Sequence, residues 1–213
     1  MESLKISAHD DARHQLRRYL DAYPEEVARF SLLSRQLESD AHLFARSNMT
    51  GHVTSSAVVL NPVGTRVLLV DHVVLKRWLA PGGHYERGTL LESAMREIEE
   101  ETGVTSAVPH PWLATHGIPL DIDSHDMPPN PAKGEGAHVH HDFMYLLQAP
   151  DDSELTAQLV EVHAARWAPV EEMLDSGDRR AVLVYSKLMR IGAIGRSENR
   201  AENRRPRMPH LRG

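Results

Sequence analysis

Residues 82–104 read Gly-Gly-His-Tyr-Glu-Arg-Gly-Thr-Leu-Leu-Glu-Ser-Ala-Met-Arg-Glu-Ile-Glu-Glu-Glu-Thr-Gly-Val. From about Thr89 to Thr102 the apolar residues Leu91, Ala94, Met95 and Ile98 recur at helical spacing and define one face that must be buried. Thr89 suits the N-cap of that helix and Gly103 its C-terminal cap. Glu97, Glu100 and Glu101 stand at i, i+3 and i+4, so their carboxylates share a neighbouring stripe, while Glu92 and Glu99 are expected to point elsewhere, toward water. Like charges at that spacing cost a helix roughly 0.2–0.5 kcal/mol per pair. Either the stripe is a solvated acidic face or a cation offsets the repulsion. Oxygen-only donors suit Mg²⁺ or Mn²⁺. Gly82-Gly83 lets main-chain atoms approach the same place, and the planar fork of Arg96 can hold the Glu97 carboxylate.

Upstream, Val53 to Leu60 is rich in β-formers, residues 61–64 (Asn-Pro-Val-Gly) are turn chemistry, and Arg66 to Val70 is a second apolar run. Together they predict a hairpin. Further upstream, residues from about Asp10 to Arg46 read as two helices meeting at Pro24, a packing appendage or dimer element. Downstream, a strand is expected near Trp112 to Ile118. The stretch from Asp121 to Ala137 shows almost no periodicity and reads as a long loop over the site. Strands are expected over His138–Gln148 and Glu161–Trp167, a short helix over Val170–Leu174, and a last amphipathic helix over Asp178–Ile191. From Arg190 to Gly213 seven arginines face two glutamates with no apolar stripe. That tail, residues 192–213, reads as disordered and basic.

The segment around the glutamates closely resembles the Nudix box: a glycine, five residues, a glutamate, seven residues, then R-E-U-x-E-E-x-G-U with U aliphatic. Arg96, Glu97, Ile98, Glu100, Glu101, Gly103 and Val104 fit the second half at every position. The first half departs from it. With Gly83 as the box glycine, Thr89 stands where the first glutamate belongs, and the spacing to Arg96 is one residue short. The resemblance covers about Gly51 to Leu174. It implies an α/β fold, a Nudix-type α/β/α sandwich with a mixed sheet, over residues 51–191, preceded by a helical extension over residues 1–50. It also implies a pyrophosphohydrolase in which Glu97, Glu100 and Glu101 bind Mg²⁺ with help from the Gly82 carbonyl, Arg96 orients Glu97, and Glu100 is the first choice of base. A homodimer is expected on family grounds only.

Composition bounds the rest. The chain has 213 residues, a formal charge of −6 and no cysteine, which removes disulfides, thiolate metal sites and cysteine nucleophiles. An acidic chain has no field for a nucleic-acid polymer, so the expected partner is a small phosphorylated substrate: a nucleotide, dinucleotide or nucleotide sugar. No run of 18 apolar residues and no signal pattern point to the cytoplasm. Glu135, His138, His140 and Asp142 form a second polar cluster, with His138, His140 and Asp142 on one side of an extended strand. They could contact phosphate, bind a second metal or supply the base, or they could be hydrogen-bonded structural groups. His9, His14, His110, His125 and His163 read as surface or loop residues, and Trp78 and Trp112 as core. Two rival readings are a Nudix-like sensor that binds a nucleotide sugar without cleaving it and an isopentenyl diphosphate isomerase. The absence of cysteine argues against the isomerase.

Overall fold

The computed structural model describes residues 6–73, 75–152, 154–157 and 162–195. Helix α1 (Ala8–Ala22), a 3-10 segment (Pro24–Phe30) and helix α2 (Ser31–Ser39) come first. Strands β1 (His52–Leu60), β2 (Arg66–His72), β3 (Arg77–Leu79) and β4 (Gly82–His84) lead into helix α3 (Leu90–Thr102). Strand β5 (Val108–Pro109), helix α4 (Pro111–His116), and strands β6 (Asp121–Met127), β7 (His138–Gln148) and β8 (Val162–Pro169) follow. A 3-10 turn (Val170–Ser176) then precedes helix α5 (Arg179–Arg190).

The centre of the sheet is β1, whose nine residues are all buried. A strand covered on both faces reads as a continuous run of small and β-branched residues rather than as an alternation. It pairs in parallel with β7 from His52↔His140 to Leu60↔Gln148. The path β3-β2-β1-β7-β5 is extended by β4 on β1, β6 on β7 and β8 on β2, giving eight strands of mixed direction. The expected turn joins β1 to β2, where the Asn61 side-chain oxygen accepts from the amides of Thr65 and Arg66 at 2.9 and 3.0 Å.

Side-chain alternation along β1 and β7 separates two cores. Val53, Ala57, Val59, Phe143, Tyr145 and Leu147 face α3. Val58, Leu60, Met144 and Leu146 face α5, where Val184 and Leu188 meet them. Leu16, Tyr19, Phe30, Leu33 and Leu37 of the N-terminal segment lie in the same core as Leu90, Ala94 and Ile98 of α3. The N-terminal helices therefore form part of one wall of the domain.

Three expectations are corrected. The stretch near Trp112 is a helix: the His110 ring accepts the Trp112 amide at 3.1 Å, Pro111 opens the helix, and Gly117 ends it at φ +60°. Six residues are too few to display a period. The segment 121–127 is not loop but strand, because β6 pairs along β7 from Asp121↔Met144 to Met127↔His138. Its Asp-Ile-Asp-Ser-His-Asp-Met sequence hides this, since backbone pairing and ion pairs hold it rather than an apolar stripe. The N-terminal pair meets through a 3-10 segment rather than directly at Pro24. The start of the last expected strand, at Glu161, and the tail beyond residue 195 lie outside the described residues. Among the described residues no helix is long and apolar enough to cross a membrane.

Candidate active site

Helix α3 starts in a capping box: the Thr89 hydroxyl accepts the Glu92 amide and the Glu92 carboxylate accepts the Thr89 amide at 2.7 Å. Glu92 is exposed, as expected, and its carboxylate also closes the helix start. The Leu90 amide donates to Asp11 of α1 at 2.8 Å. Two acids therefore meet the positive end of the helix that lacks the box glutamate. At the far end Gly103 takes φ +74°, as a C-terminal cap requires.

Arg96 organises the middle of the helix. It donates to the Glu97 carboxylate at 2.7 Å and to the His84 carbonyl at 3.0 Å, and its Nε lies 3.4 Å from Glu100. Glu97 rests against the β4 backbone. A side chain on Gly83 would put its Cβ 2.4 Å from the Glu97 carboxylate. The Gly82 amide donates to Glu101 at 3.0 Å. Glu97 and Glu101 are buried, whereas the Glu100 side chain is 43% exposed. Strand β4 and helix α3 thus gather the five residues named from the sequence, Gly82, Arg96, Glu97, Glu100 and Glu101, with the Gly82 contact made by its amide. The three carboxylates do not close to direct ligand spacing; among the described residues only a histidine group does.

That group lies on the opposite face of the sheet. The pairings Thr54↔His84, His52↔His140 and His125↔His140 carry histidines across four adjacent strands. His52 stacks on His138 with ring centres 4.8 Å apart, and His84 lies 5.1 Å from His52 and 5.2 Å from His140. Burial first, then the neighbouring histidines, pushes His140 down to about 2, so this ring stays neutral. Burial also lowers His52.

Asp142 shares that face but is otherwise engaged. It accepts from Thr54 at 3.1 Å, from Ser56 at 2.5 Å and from Arg180 at 2.7 Å. Arg180 also reaches Asp121 at 3.0 Å, which in turn receives Lys187 at 2.7 Å. Glu135 accepts from Arg46 at 2.7 Å. Burial opposes its ionisation, yet the Arg46 hydrogen bond and charge hold it below the usual carboxylate range. Of the second cluster, then, His138 and His140 meet each other, while Asp142 and Glu135 each face an arginine. Trp78 and Trp112 are only partly buried; Arg166 covers Trp78 at 4.3 Å and His116 stacks on Trp112 at 4.9 Å.

A NUDIX domain model matches residues 50–188, more than half of the chain. The chain belongs to the NUDIX family. Its 30% identity to a "Probable DHNTP pyrophosphohydrolase" of Lactococcus lactis subsp. cremoris extends over 57% of this chain and 68% of that protein. "Phosphatase NudJ" of Escherichia coli (strain K12) is 26% identical over 64% of this chain and 80% of its own length. A crystal structure of a NUDIX-family hydrolase from Clostridium perfringens covers 66% of this chain and 97% of its own, at 22% identity and a TM-score of 0.49. In this NUDIX hydrolase the structure also brings residues that no motif marked to these two faces: Asp11 at the start of α3, and His52, His84 and Arg180 on the other side of the sheet. The His-x-His spacing of β7 was a signal for that face, but the partners on β1 and β4 came from strand pairing alone.

Proposed function

We propose that this NUDIX hydrolase cleaves a diphosphate linkage in a nucleoside diphosphate derivative, with a divalent metal, Mg²⁺ or Mn²⁺, at Glu97, Glu100 and Glu101. The observation that carries the reading is the contact of Arg96 with Glu97 and Glu100 beside the side-chain-free start of β4 at Gly82-Gly83. The donor set fits a hard dication. It offers carboxylate oxygen without sulfur or imidazole, and Mg²⁺ keeps waters that can bridge to acids not in direct ligand spacing. When bound, such an ion acidifies water and neutralises charge on the phosphates.

The residues have distinct parts. Arg96 fixes the Glu97 carboxylate from one side while Gly83 leaves it room from the other. The Gly82 amide holds Glu101. Glu100, the exposed carboxylate of the three, can turn toward an attacking water and take its proton. Arg96 lies within ion-pair distance of Glu100 and restrains where that side chain can turn. The capping box at Thr89 keeps the helix start in register without the box glutamate, which supports turnover over a purely binding role.

The name of one relative, a "Probable DHNTP pyrophosphohydrolase", is the reason to try triphosphates first. Nucleotide sugars and dinucleotides follow. The test is phosphate release with and without Mg²⁺ across such a panel, with binding followed in parallel. Mg²⁺-dependent release supports hydrolysis. Binding without cleavage throughout the panel would leave the sensor reading in its place.

A further inference from the structure

We propose that His52, His138 and His140 form a second cation site, of the class that takes Zn²⁺ or Co²⁺, separate from the carboxylates of α3. One ring nitrogen from each of the three lies within 4.8 Å of the others. His138 Nε2 and His140 Nε2 are already 3.0 Å apart. A tetrahedral ion with bonds of about 2.0–2.1 Å needs its ligand nitrogens about 3.3 Å apart, so closing the site takes ring shifts of roughly an ångström.

The tautomers are set by backbone. His138 Nδ1 lies 2.7 Å from the Gly136 carbonyl, and His52 Nδ1 lies 3.1 Å from the Asn48 carbonyl. A carbonyl only accepts, so both Nδ1 atoms carry the proton, and in the neutral rings both Nε2 atoms present a lone pair. Metal-ligating histidines are oriented in this way, with the second nitrogen donating to a carbonyl. His52 gives the sharper sign. It is 1% exposed, yet its Nε2 has no hydrogen-bond partner among the described residues. A buried lone pair without a donor is costly, and a cation would satisfy it.

The His138–His140 contact needs one N–H and one lone pair. With the lone pair on His138, His140 supplies the N–H. Seating a cation then requires only that His140 shift its proton from Nε2 to Nδ1, with no net proton released. Three imidazoles and no carboxylate favour a borderline transition metal over Mg²⁺. A three-histidine set also leaves a fourth position open for water or a substrate oxygen. His84 joins this face to the hydrolase site, since its ring borders His52 and His140 and its carbonyl holds Arg96.

The inference is independent of the hydrolase reading, because uptake is measured without substrate. The purified full chain, stripped with chelator, is titrated with Co²⁺ in excess Mg²⁺ and followed by visible absorption. One equivalent with an intense tetrahedral band, displaced by Zn²⁺, is expected. His52→Gln and His140→Gln should each weaken uptake by at least about tenfold, while Glu100→Gln leaves it unchanged. No uptake by the wild type, or loss of the band to Mg²⁺, overturns the site. Should the variants fail to fold, X-ray absorption on the Zn²⁺-loaded wild type decides. Three imidazole nitrogens at about 2.0–2.1 Å support the site, and all-oxygen ligation refutes it.

Discussion

Asp11, on the first helix of the chain, accepts the Leu90 amide at the start of α3, 79 residues further on. The acid is buried and its partner belongs to the first turn of α3. Replacing Asp11 with Ala leaves a buried amide unpaired and removes a negative charge from a helix N-terminus. A loss of about 1–2 kcal/mol is expected. For a chain of this size that is roughly 2–8 °C in thermal midpoint, read by circular dichroism. An unchanged midpoint would show that the capping box alone holds the helix start.

Glu100→Gln tests the proposed base. The side chain is exposed, so the protein should keep its fold and thermal midpoint. Mg²⁺-dependent turnover should fall by at least about a hundredfold. Near wild-type rates would remove Glu100 from the mechanism and turn attention to the histidine face.

Gly83→Ala probes positioning without touching a charge. The added methyl would meet the Glu97 carboxylate at 2.4 Å, and Arg96 restrains that carboxylate from moving aside. A misplacement near 1 Å can cost about a hundredfold in rate. Activity should drop by about 10–100-fold with only a small change in stability, and a steady-state assay beside a melting curve separates the two.

Arg180→Met addresses the buried ion network. Arg180 serves both Asp121 and Asp142, each with little or no exposure. Removing it strands buried charge, for which about 3–5 kcal/mol is the usual loss. Urea unfolding should show the midpoint fall accordingly; a loss under about 1 kcal/mol would mean Lys187 and the hydroxyls of Thr54 and Ser56 suffice.

Acid should weaken the fold partly through Asp123. Burial alone would oppose its ionisation, but the hydrogen bonds from His125 and Arg29 and the charges of Arg180 and His125 hold it well below the usual carboxylate range. A depressed carboxylate contributes stability that is present above its unfolded value, near 4, and lost as pH falls below that. Asp123→Asn should therefore be less stable than wild type at pH 7 by about 2 kcal/mol. The gap should narrow as pH falls below about 4. Parallel urea curves at pH 7 and pH 3 check both signs; a constant gap would show that ionisation of Asp123 is not involved.

The sequence made α3 legible down to its caps, because a thirteen-residue helix shows its period and its punctuation together. It made β1, β2 and β7 legible for the same reason. It concealed β6, whose polar residues are spent on partners from other elements, such as Arg29 to Asp123 at 2.8 Å. It concealed α4, which is one turn and a half long. The acidic trio was visible as spacing on one helix, whereas the histidine group needed register: His52 and His140 become neighbours only through the parallel pairing of β1 with β7. Asp11 was hidden differently, since nothing in a run of helical residues says which acid will meet another helix.

That parallel pairing also bears on how the chain reaches its native state. Thr54 and Asp142, joined by a hydrogen bond, are 88 positions apart, while β1 has a single registered pair with its hairpin neighbour β2. During synthesis the central strand leaves the ribosome long before its main partner, and contacts so distant along the chain form late. Until β7 arrives, an apolar strand waits with an open edge, and premature association between nascent chains is the hazard that this topology carries.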